Sequence, residues 1–216
     1  MNFFKPGPVR VKICGITNED DARMSLAAGA DALGFNFFPG SKRYLSPDLA
    51  IPWIQRLGDA VERVAVVVNP EEALLEKLRA AGCFEMIQFH GDESPSFCAS
   101  AGFPCWIKAV RVRDRAVLVE ALQYKTFHLL LDAWSDGAYG GTGKRLDWNL
   151  AREFLLEQND RQLILAGGLD VQNVRQALRI IRPHAVDVAS GVELNPRKKE
   201  EYLVREFISA VRGSFL

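Results

Sequence analysis

Several features that mark other classes of protein are missing from this sequence. Its three histidines are far apart, and no C-x-x-C pair, H-E-x-x-H motif or Cys/His cluster occurs, so the sequence predicts no metal site. Its 27 basic side chains balance 27 acidic ones. This balance gives no electrostatic reason to expect nucleic acid or an anionic membrane as the main partner.

The opening residues also give no reason to expect a leader or a spanning segment. The opening MNFFKPGP is interrupted by Lys5, Pro6 and Pro8 before it could form a signal-peptide core or a spanning helix. We therefore expect a cytoplasmic location and four free thiols, at Cys14, Cys83, Cys98 and Cys105.

The composition supplies enough material for one folded unit. Of the 216 residues, 48% are hydrophobic and 25% charged, without a low-complexity tail. The length lies near the lower end of what a β/α barrel needs. We expect a single domain over residues 1–216, in which residues 1–8 form a short lead-in.

Short β-branched apolar runs alternate with longer amphipathic stretches in eight rounds. In the third round a continuous apolar run ends before Pro70, which opens PEEALLEKLRAAG with acids in its first turn and Gly82 as its stop. The predicted strands are Val9 to Gly15, Ala32 to Phe38, Arg63 to Asn69, Met86 to Gly91, Cys105 to Val112, Phe127 to Trp134, Gln162 to Leu169 and Ala185 to Glu193.

Strict alternation of strand and helix predicts parallel pairing with helical crossovers, and apolar strands indicate burial on both faces. Eight units can close, which predicts an α/β fold, a single-domain (β/α)8 TIM barrel. The alternative is an open doubly wound sheet. Such sheets often carry a G-x-G-x-x-G turn after the first strand, and CGITNEDD has none.

Residue parity predicts which strand side chains point into the barrel. Val11 and Ile13 should meet the helices, which turns Lys12 and Cys14 inward, with Cys14 near the carboxyl end where barrel active sites lie. The same parity turns Asp132 inward at the end of the sixth strand.

The predicted interior is therefore partly ionic. Gln88 and His90 point inward from the fourth strand and Asp187 from the eighth. Because buried charges need partners, we expect Lys12 and also Lys108 to form ion pairs with Asp187 or Asp132. A purely structural ion-pair network is the alternative interpretation, and His90 is either a ligand contact or a hydrogen-bonded core histidine.

Cys14 and Asp132 are the candidates for chemistry. A lone cysteine in an apolar strand is usually a small hydrophobe, but Cys14 lies inward beside Lys12, which could activate a thiolate as base or nucleophile. The Asp132 carboxylate is either a satisfied structural partner or a general acid.

Two glycine turns and one arginine indicate anion binding. LAGGLD, which contains Gly167 and Gly168, and ASGVE, residues 189–193, end the seventh and eighth strands, where barrels often bind phosphate. Arg43, in the second β/α loop, suits a carboxylate or phosphate, and the alternative interpretation is a solvated surface arginine. GGTGK at 140–144 lacks the first glycine and the Ser or Thr of a P-loop, so we interpret 135–147 as a loop suited to covering a substrate.

With these segments in place, the chain resembles the phosphoribosylanthranilate isomerase family of tryptophan biosynthesis. The matching segments are VKICGIT, GFNFFPGSKRYLSP, VVVNP, IQFHGDE, LLLDAWSDGAYGGTGKRLDW, LAGGL and SGVE. The resemblance implies a cofactor-free Amadori rearrangement of a phosphorylated aminosugar, with the chain as monomer or homodimer. It also implies roles for individual residues: Cys14 as general base, Asp132 as general acid, Arg43 on the anthranilate carboxylate, and Gly168, Ser190 and Gly191 in the phosphate loops.

The sequence departs from this family pattern at three positions. Ala189 stands where serine is usual, Arg197 where glycine is common and Glu200 where aspartate is usual. Arg197 would carry strain in a left-handed backbone, and otherwise would add a cation near the phosphate.

Three other functions are weighed against the resemblance. The histidine-pathway aminosugar isomerase would place a carboxylate pair at the strand ends, and indoleglycerol-phosphate synthase a lysine with glutamates. Cys14 with Asp132 fits neither. A barrel that binds a phosphorylated ligand without turnover would keep the glycine turns and Arg43, but would not need both Cys14 and Asp132.

Overall fold

The strands of the chain close into one parallel barrel. The computed structural model describes residues 7–58, 61–133, 146–158 and 160–215. Neighbouring strands pair in chain order, and β1 pairs with β8, which confirms the predicted closure. The strands are β1 Arg10–Cys14, β2 Ala32–Asn36, β3 Glu62–Val67, β4 Met86–Phe89, β5 Trp106–Val112, β6 His128–Ala133, β7 Gln162–Leu165 and β8 Ala185–Val188.

Helices follow the strands, and local sequence signals set where they begin. Asn18, Ser94, Asp114 and Asp147 each accept a backbone N–H in the first turn of their helix. The helices are α1 Glu19–Ala27, α2 Pro47–Gln55, α3 Glu72–Ala81, α4 Pro95–Ser100, α5 Arg115–Ala121, α6 Trp148–Glu157, α7 Val174–Ile181 and α8 Glu201–Arg212. As predicted, α3 stops at Gly82, whose φ of 63° is left-handed.

The eighth strand is shorter than predicted. It ends at Val188, because the backbone leaves the extended region at Ala189 and residues 190–192 form a 3-10 turn. A small antiparallel hairpin then follows, formed by β9 Glu193–Asn195 and β10 Lys198–Lys199. The last loop of the barrel is thus a hairpin next to β1 and not an extension of β8.

The apolar core has two layers, as strand parity predicts. Val11 and Ile13 are buried in the large layer between strands and helices. A smaller cluster fills the barrel interior, and Cys14 packs against it; its members are Ala32, Val64, Val66, Met86, Cys105, Ile107, Ala109, Leu130, Ile164, Ala166 and Ala185. The interior is therefore filled by side chains, as expected for a barrel of eight strands. Among the helices of the described residues, none combines the length and the hydropathy that crossing a membrane requires.

The predicted partner of Lys108 was wrong. Ile107 and Ala109 point into the barrel, so Lys108 points toward the helices. Its ammonium donates to Glu93 Oε2 and to Gly91 O, each at 2.7 Å. The predicted pair of Lys12 with Asp187 is confirmed, with an Nζ to Oδ1 distance of 2.7 Å.

His128, at the start of β6, predicts a loss of stability in acid. Burial lowers its pKa from 6.5 to about 4. Between pH 6.5 and 4 the imidazole is therefore protonated in the unfolded chain but not in the folded one. The contribution of His128 to the free energy of unfolding is fully present above pH 6.5 and falls by roughly 3 kcal/mol as the pH drops toward 4. Denaturant unfolding at several pH values should show a shallower acid decline for His128→Gln than for wild type. Parallel declines would contradict the prediction.

Candidate active site

Cys14 lies at the carboxyl end of β1 among charged groups, as predicted. Its thiol interacts with Lys12, the buried partner of Asp187, and Lys199 of the hairpin lies close enough to affect its charge. On the neighbouring strand, Gly34 leaves room for this cluster, because a Cβ there would lie 2.7 Å from Cys14 Sγ. The cluster brings a thiol and two ammonium groups to the mouth of the barrel.

The groups around Cys14 shift the pKa of its thiol in opposite directions. Burial is the largest influence and raises the pKa of the thiol, and Asp187 raises it further. Lys12 and Lys199 lower that pKa, although the net shift is upward. The expectation that Lys12 favours the thiolate is thus correct in sign, but in the free protein it does not outweigh burial.

Asp132 lies at the end of β6 within a second polar cluster. His90 Nε2 lies 3.2 Å from Asp132 Oδ2, and Gln88 Nε2 lies 3.0 Å from His90 Nδ1. The other carboxylate oxygen of Asp132 accepts the Ala133 N–H at 2.8 Å. All three of Gln88, His90 and Asp132 point inward as predicted, and His90 bonds a candidate catalytic group directly. Asp132 can therefore exchange a proton with His90 or with a ligand in the barrel mouth.

Gly167, in the turn after β7, packs directly against Asp132. Its φ is +82°, and a Cβ there would lie 2.6 Å from Ala133 N and 3.2 Å from Asp132 Oδ1. We expect Gly167→Ala to displace the carboxylate and to lower kcat by about tenfold or more, since small misplacements of catalytic groups are costly.

Gly82→Ala is a matched control for this prediction. Its φ of +63° imposes a similar backbone penalty, but a Cβ there would meet nothing within 4 Å. Thermal unfolding should show that both variants are destabilised, whereas steady-state kinetics should show a loss only for Gly167→Ala. Equal kcat values in the two variants would contradict the proposed contact with Asp132.

The turns after β7 and β8 lie together. A Cβ at Gly191 would overlap the carbonyl of Leu169, so only glycine allows this approach. Gly168, Ser190 and Gly191 place backbone N–H groups in these two turns, at the ends of neighbouring strands. Amide groups in such turns can bind an anion such as phosphate.

Arg43 is buried in an ion pair and not solvated. Its Nε and Nη2 donate to the two carboxylate oxygens of Glu193, at 2.7 Å and 2.5 Å. Its side chain is only 10% exposed and covers Gly15, where a Cβ would overlap Arg43 Cδ. The structure thus places Arg43 beside Cys14, although sequence alone left it in a loop of unknown position.

Two polar residues of this end were missed by the sequence analysis. Glu193 was considered only as the end of the ASGVE turn, and Lys199 was not considered. Lys199 Nζ donates to Cys14 O at 2.6 Å and to Glu193 Oε1 at 3.0 Å. Because Lys199 follows another lysine in a charged stretch, no periodicity distinguishes it as buried.

The three departures from the family pattern lie in or beside the hairpin. Arg197 has a φ of 79°, which confirms the left-handed alternative, and its Nη1 donates to Tyr44 O at 2.9 Å. Ala189 O accepts from Lys199, and Glu200 precedes α8 without a side-chain cap. The predicted covering loop, residues 135–147, lies outside the described residues except for 146 and 147.

Comparisons with known proteins agree with this geometry. The family model for N-(5'-phosphoribosyl)anthranilate isomerase matches residues 11–210. The chain belongs to this isomerase family. A relative named N-(5'-phosphoribosyl)anthranilate isomerase from Thermotoga neapolitana is 45% identical over 207 residues, which are 95% of this chain and 99% of the relative.

Solved structures of the N-(5'-phosphoribosyl)anthranilate isomerase family share the barrel. The Thermotoga maritima enzyme is 41% identical with a TM-score of 0.85, covering 95% of this chain and 99% of that one. A second family structure, solved in complex with reduced 1-(o-carboxyphenylamino)-1-deoxyribulose 5-phosphate, is 40% identical with a TM-score of 0.82, again covering 95% and 99%. The chain is therefore an isomerase with the predicted fold, and the resemblance seen in the sequence is confirmed.

Proposed function

We propose that the chain converts N-(5'-phosphoribosyl)anthranilate to 1-(2-carboxyphenylamino)-1-deoxyribulose 5-phosphate, with Asp132 as general acid and Cys14 as general base. The division into acid and base comes from the family resemblance, and one observation supports the choice of these two residues. Cys14 and Asp132 both point inward at the carboxyl ends of their strands, and each has its own polar cluster. Positioned acid and base groups each contribute about 10²–10⁴ in rate.

In the proposed reaction the protein makes two proton transfers with the substrate, one from Asp132 and one to Cys14. Asp132 protonates the furanose oxygen as its bond to C1′ breaks, and the nitrogen lone pair forms the C=N bond of an iminium ion. Cys14 then removes the C2′ proton, and the C–H electrons form the C1′=C2′ double bond while the iminium electrons return to nitrogen. The resulting enol becomes the aminoketone as its hydroxyl loses a proton and C1′ gains one, and the Cys14 thiol gives its proton back to solvent while the Asp132 carboxylate regains one. His90, bonded to Asp132, is suited to returning the proton that the carboxylate gives up.

Each end of the substrate has a candidate binding group. The amides of Gly168, Ser190 and Gly191 would bind the phosphate at the ends of β7 and β8. The guanidinium of Arg43 would bind the anthranilate carboxylate beside Cys14. The substrate would then extend across the barrel mouth, with its reacting carbons between Cys14 and Asp132. No cofactor takes part in this proposal.

Arg43 should control affinity for only one end of the substrate. We expect Arg43→Ala to raise the Kd of an anthranilate-bearing product analogue by about tenfold or more and to leave the Kd of ribose 5-phosphate nearly unchanged, because a charge-assisted pair contributes about 1.5–3 kcal/mol. Arg43→Lys, which keeps the charge but loses the planar fork, should fall between. Titration calorimetry measures both ligands, and an equal loss for the two would place Arg43 at the phosphate.

The proposed partner is thus a small phosphorylated molecule, and not nucleic acid or a membrane. The four free thiols support a cytoplasmic location, since that compartment keeps cysteines reduced.

Loss of substrate fluorescence tests the proposed function. Wild-type protein should consume N-(5'-phosphoribosyl)anthranilate rapidly and the histidine-pathway aminosugar slowly or not at all. Binding of the first substrate without turnover would instead identify a binding protein.

A further inference from the structure

Lys199 is a buried lysine whose hydrogen bonds are all made. Its side chain is fully shielded from solvent, and its ammonium donates to Cys14 O at 2.6 Å, Ala189 O at 3.0 Å and Glu193 Oε1 at 3.0 Å. The backbone N–H of Lys199 donates to Asp21 Oδ2, in α1, at 2.9 Å. Lys199 therefore ties the β9–β10 hairpin to the end of β1, at the residue that carries the proposed base.

Glu193 is the one carboxylate, among the residues that the structure describes, to which both Arg43 and Lys199 donate hydrogen bonds. Its carboxylate, 3% exposed, accepts two bonds from Arg43 and one from Lys199. Burial lowers the pKa of Lys199 and Glu193 opposes that shift, so one carboxylate stabilises the charge of both cations. Arg43 Nη1 has no acceptor among the described residues, so one edge of the guanidinium is free for an incoming carboxylate.

The same group of side chains touches both sides of the Cys14–Gly15 peptide. Lys199 holds the Cys14 carbonyl, and the Arg43 side chain lies on Gly15 so closely that a Cβ there would overlap it. Gly15 N and Ile16 N both donate to Gly34 O, which fixes the backbone after Cys14. The guanidinium and the thiol are thus held against one rigid peptide.

We propose that Glu193 and Lys199 are positioning residues, which hold the guanidinium of Arg43 and the backbone of Cys14 in one fixed arrangement. This inference rests on the proposed function, since it assigns the carboxylate-binding and base roles to Arg43 and Cys14. Neither Glu193 nor Lys199 needs to touch the reacting atoms. Their effect on rate comes from the alignment of two groups that do.

Replacing Glu193 by glutamine separates positioning from simple charge. If Glu193 only competed for Arg43, removal of its negative charge would tighten binding of the substrate carboxylate. If it positions Arg43, the guanidinium loses its bidentate partner and turns away, so KM should rise by about tenfold, with a smaller change in kcat. Glu193→Asp keeps the charge with a shorter reach, and should lie between wild type and Glu193→Gln.

Replacing Lys199 by methionine tests whether its bond to the Cys14 carbonyl positions that residue. Glu193 keeps Arg43 as its partner, so no buried charge is left unpaired. We expect kcat to fall by about tenfold while KM changes less, because the Cys14 backbone loses its anchor. Lys198→Met is the matched control: Lys198 is exposed and pairs with Asp21, and its loss should change kcat and KM by less than about twofold.

The pH dependence of Cys14 alkylation gives a readout that a merely structural role would not move. The charged groups around Cys14 are Lys12, Lys199, Asp187 and Arg43, and Lys199 lowers its pKa. Lys199→Met should shift alkylation by iodoacetamide to higher pH, whereas Lys198→Met should not. Cys83, Cys98 and Cys105 are buried and should react slowly.

The outcomes are distinct from failure of the proposed function. A raised KM for Glu193→Gln, together with a lowered kcat and a shifted alkylation profile for Lys199→Met, supports the inference. Tighter binding by Glu193→Gln, or kinetic and alkylation behaviour of Lys199→Met equal to that of Lys198→Met, overturns it. If wild type itself shows no turnover, the proposed function fails, whereas the alkylation shift still reports whether Lys199 acts on Cys14.

Discussion

Replacement of Asp132 by asparagine is expected to lower kcat/KM by about 10²–10⁴, with a much smaller change in the affinity for product analogues. The amide has nearly the shape of the carboxylate and can still accept the Ala133 N–H, so the fold around β6 should persist. It cannot deliver a proton to the furanose oxygen. Steady-state kinetics by loss of substrate fluorescence measures the effect.

The neighbours of Asp132 provide a graded control. His90→Asn removes the ring that bonds Asp132 Oδ2 but leaves the acid in place, and should cost less than Asp132→Asn. Gln88→Leu acts one bond further away, through His90 Nδ1, and should cost less again. If His90→Asn proved more damaging than Asp132→Asn, His90 would take the role of general acid.

Replacement of Cys14 by serine or by alanine is expected to reduce kcat by about 10²–10⁴. Serine preserves the size of the side chain but has a far weaker tendency to ionise, and alanine removes the group. Both variants should therefore be equally inactive, although only alanine leaves a cavity. Turnover that survives in Cys14→Ser would show that the thiol is not the base.

The pH profile of the wild type adds an independent check on Cys14. Because its pKa is raised, the thiolate fraction of the free protein is small at neutral pH and grows with pH. We expect the rate of Cys14 alkylation by iodoacetamide, which needs the thiolate but not the Asp132 proton, to rise with pH through the neutral range and beyond the ordinary thiol pKa of about 8.5. A plateau reached below pH 7 would contradict the upward shift.

The sequence was sufficient for the barrel and for the inward face of its strands. Val11 and Ile13 alternate with Lys12 and Cys14, and a period of two leaves only one way to bury the apolar pair against helices. The same rule placed Asp132 correctly. Parity also accounts for Lys108, which points toward the helices because Ile107 and Ala109 occupy the interior, whereas the need of a buried charge for a partner does not by itself say on which face that partner lies.

The contacts between loops could not be predicted in this way. Arg43 and Glu193 are 150 residues apart, and their pairing depends on how the β2–α2 loop and the hairpin after β8 meet over β1. Periodicity says nothing about such loops, because their backbones are irregular. Lys199 shows the same limit, since its burial follows from the hairpin and not from its neighbours in sequence.

Cys14 and Asp132 are proposed to carry out the proton transfers without being needed to bind the substrate. The most direct measurement mixes N-(5'-phosphoribosyl)anthranilate with an excess of wild type, Cys14→Ser or Asp132→Asn and follows substrate fluorescence through a single turnover. Rapid decay is expected with wild type, and for the variants a bound substrate whose fluorescence persists at least about 100 times longer. Decay at the wild-type rate in either variant would contradict it.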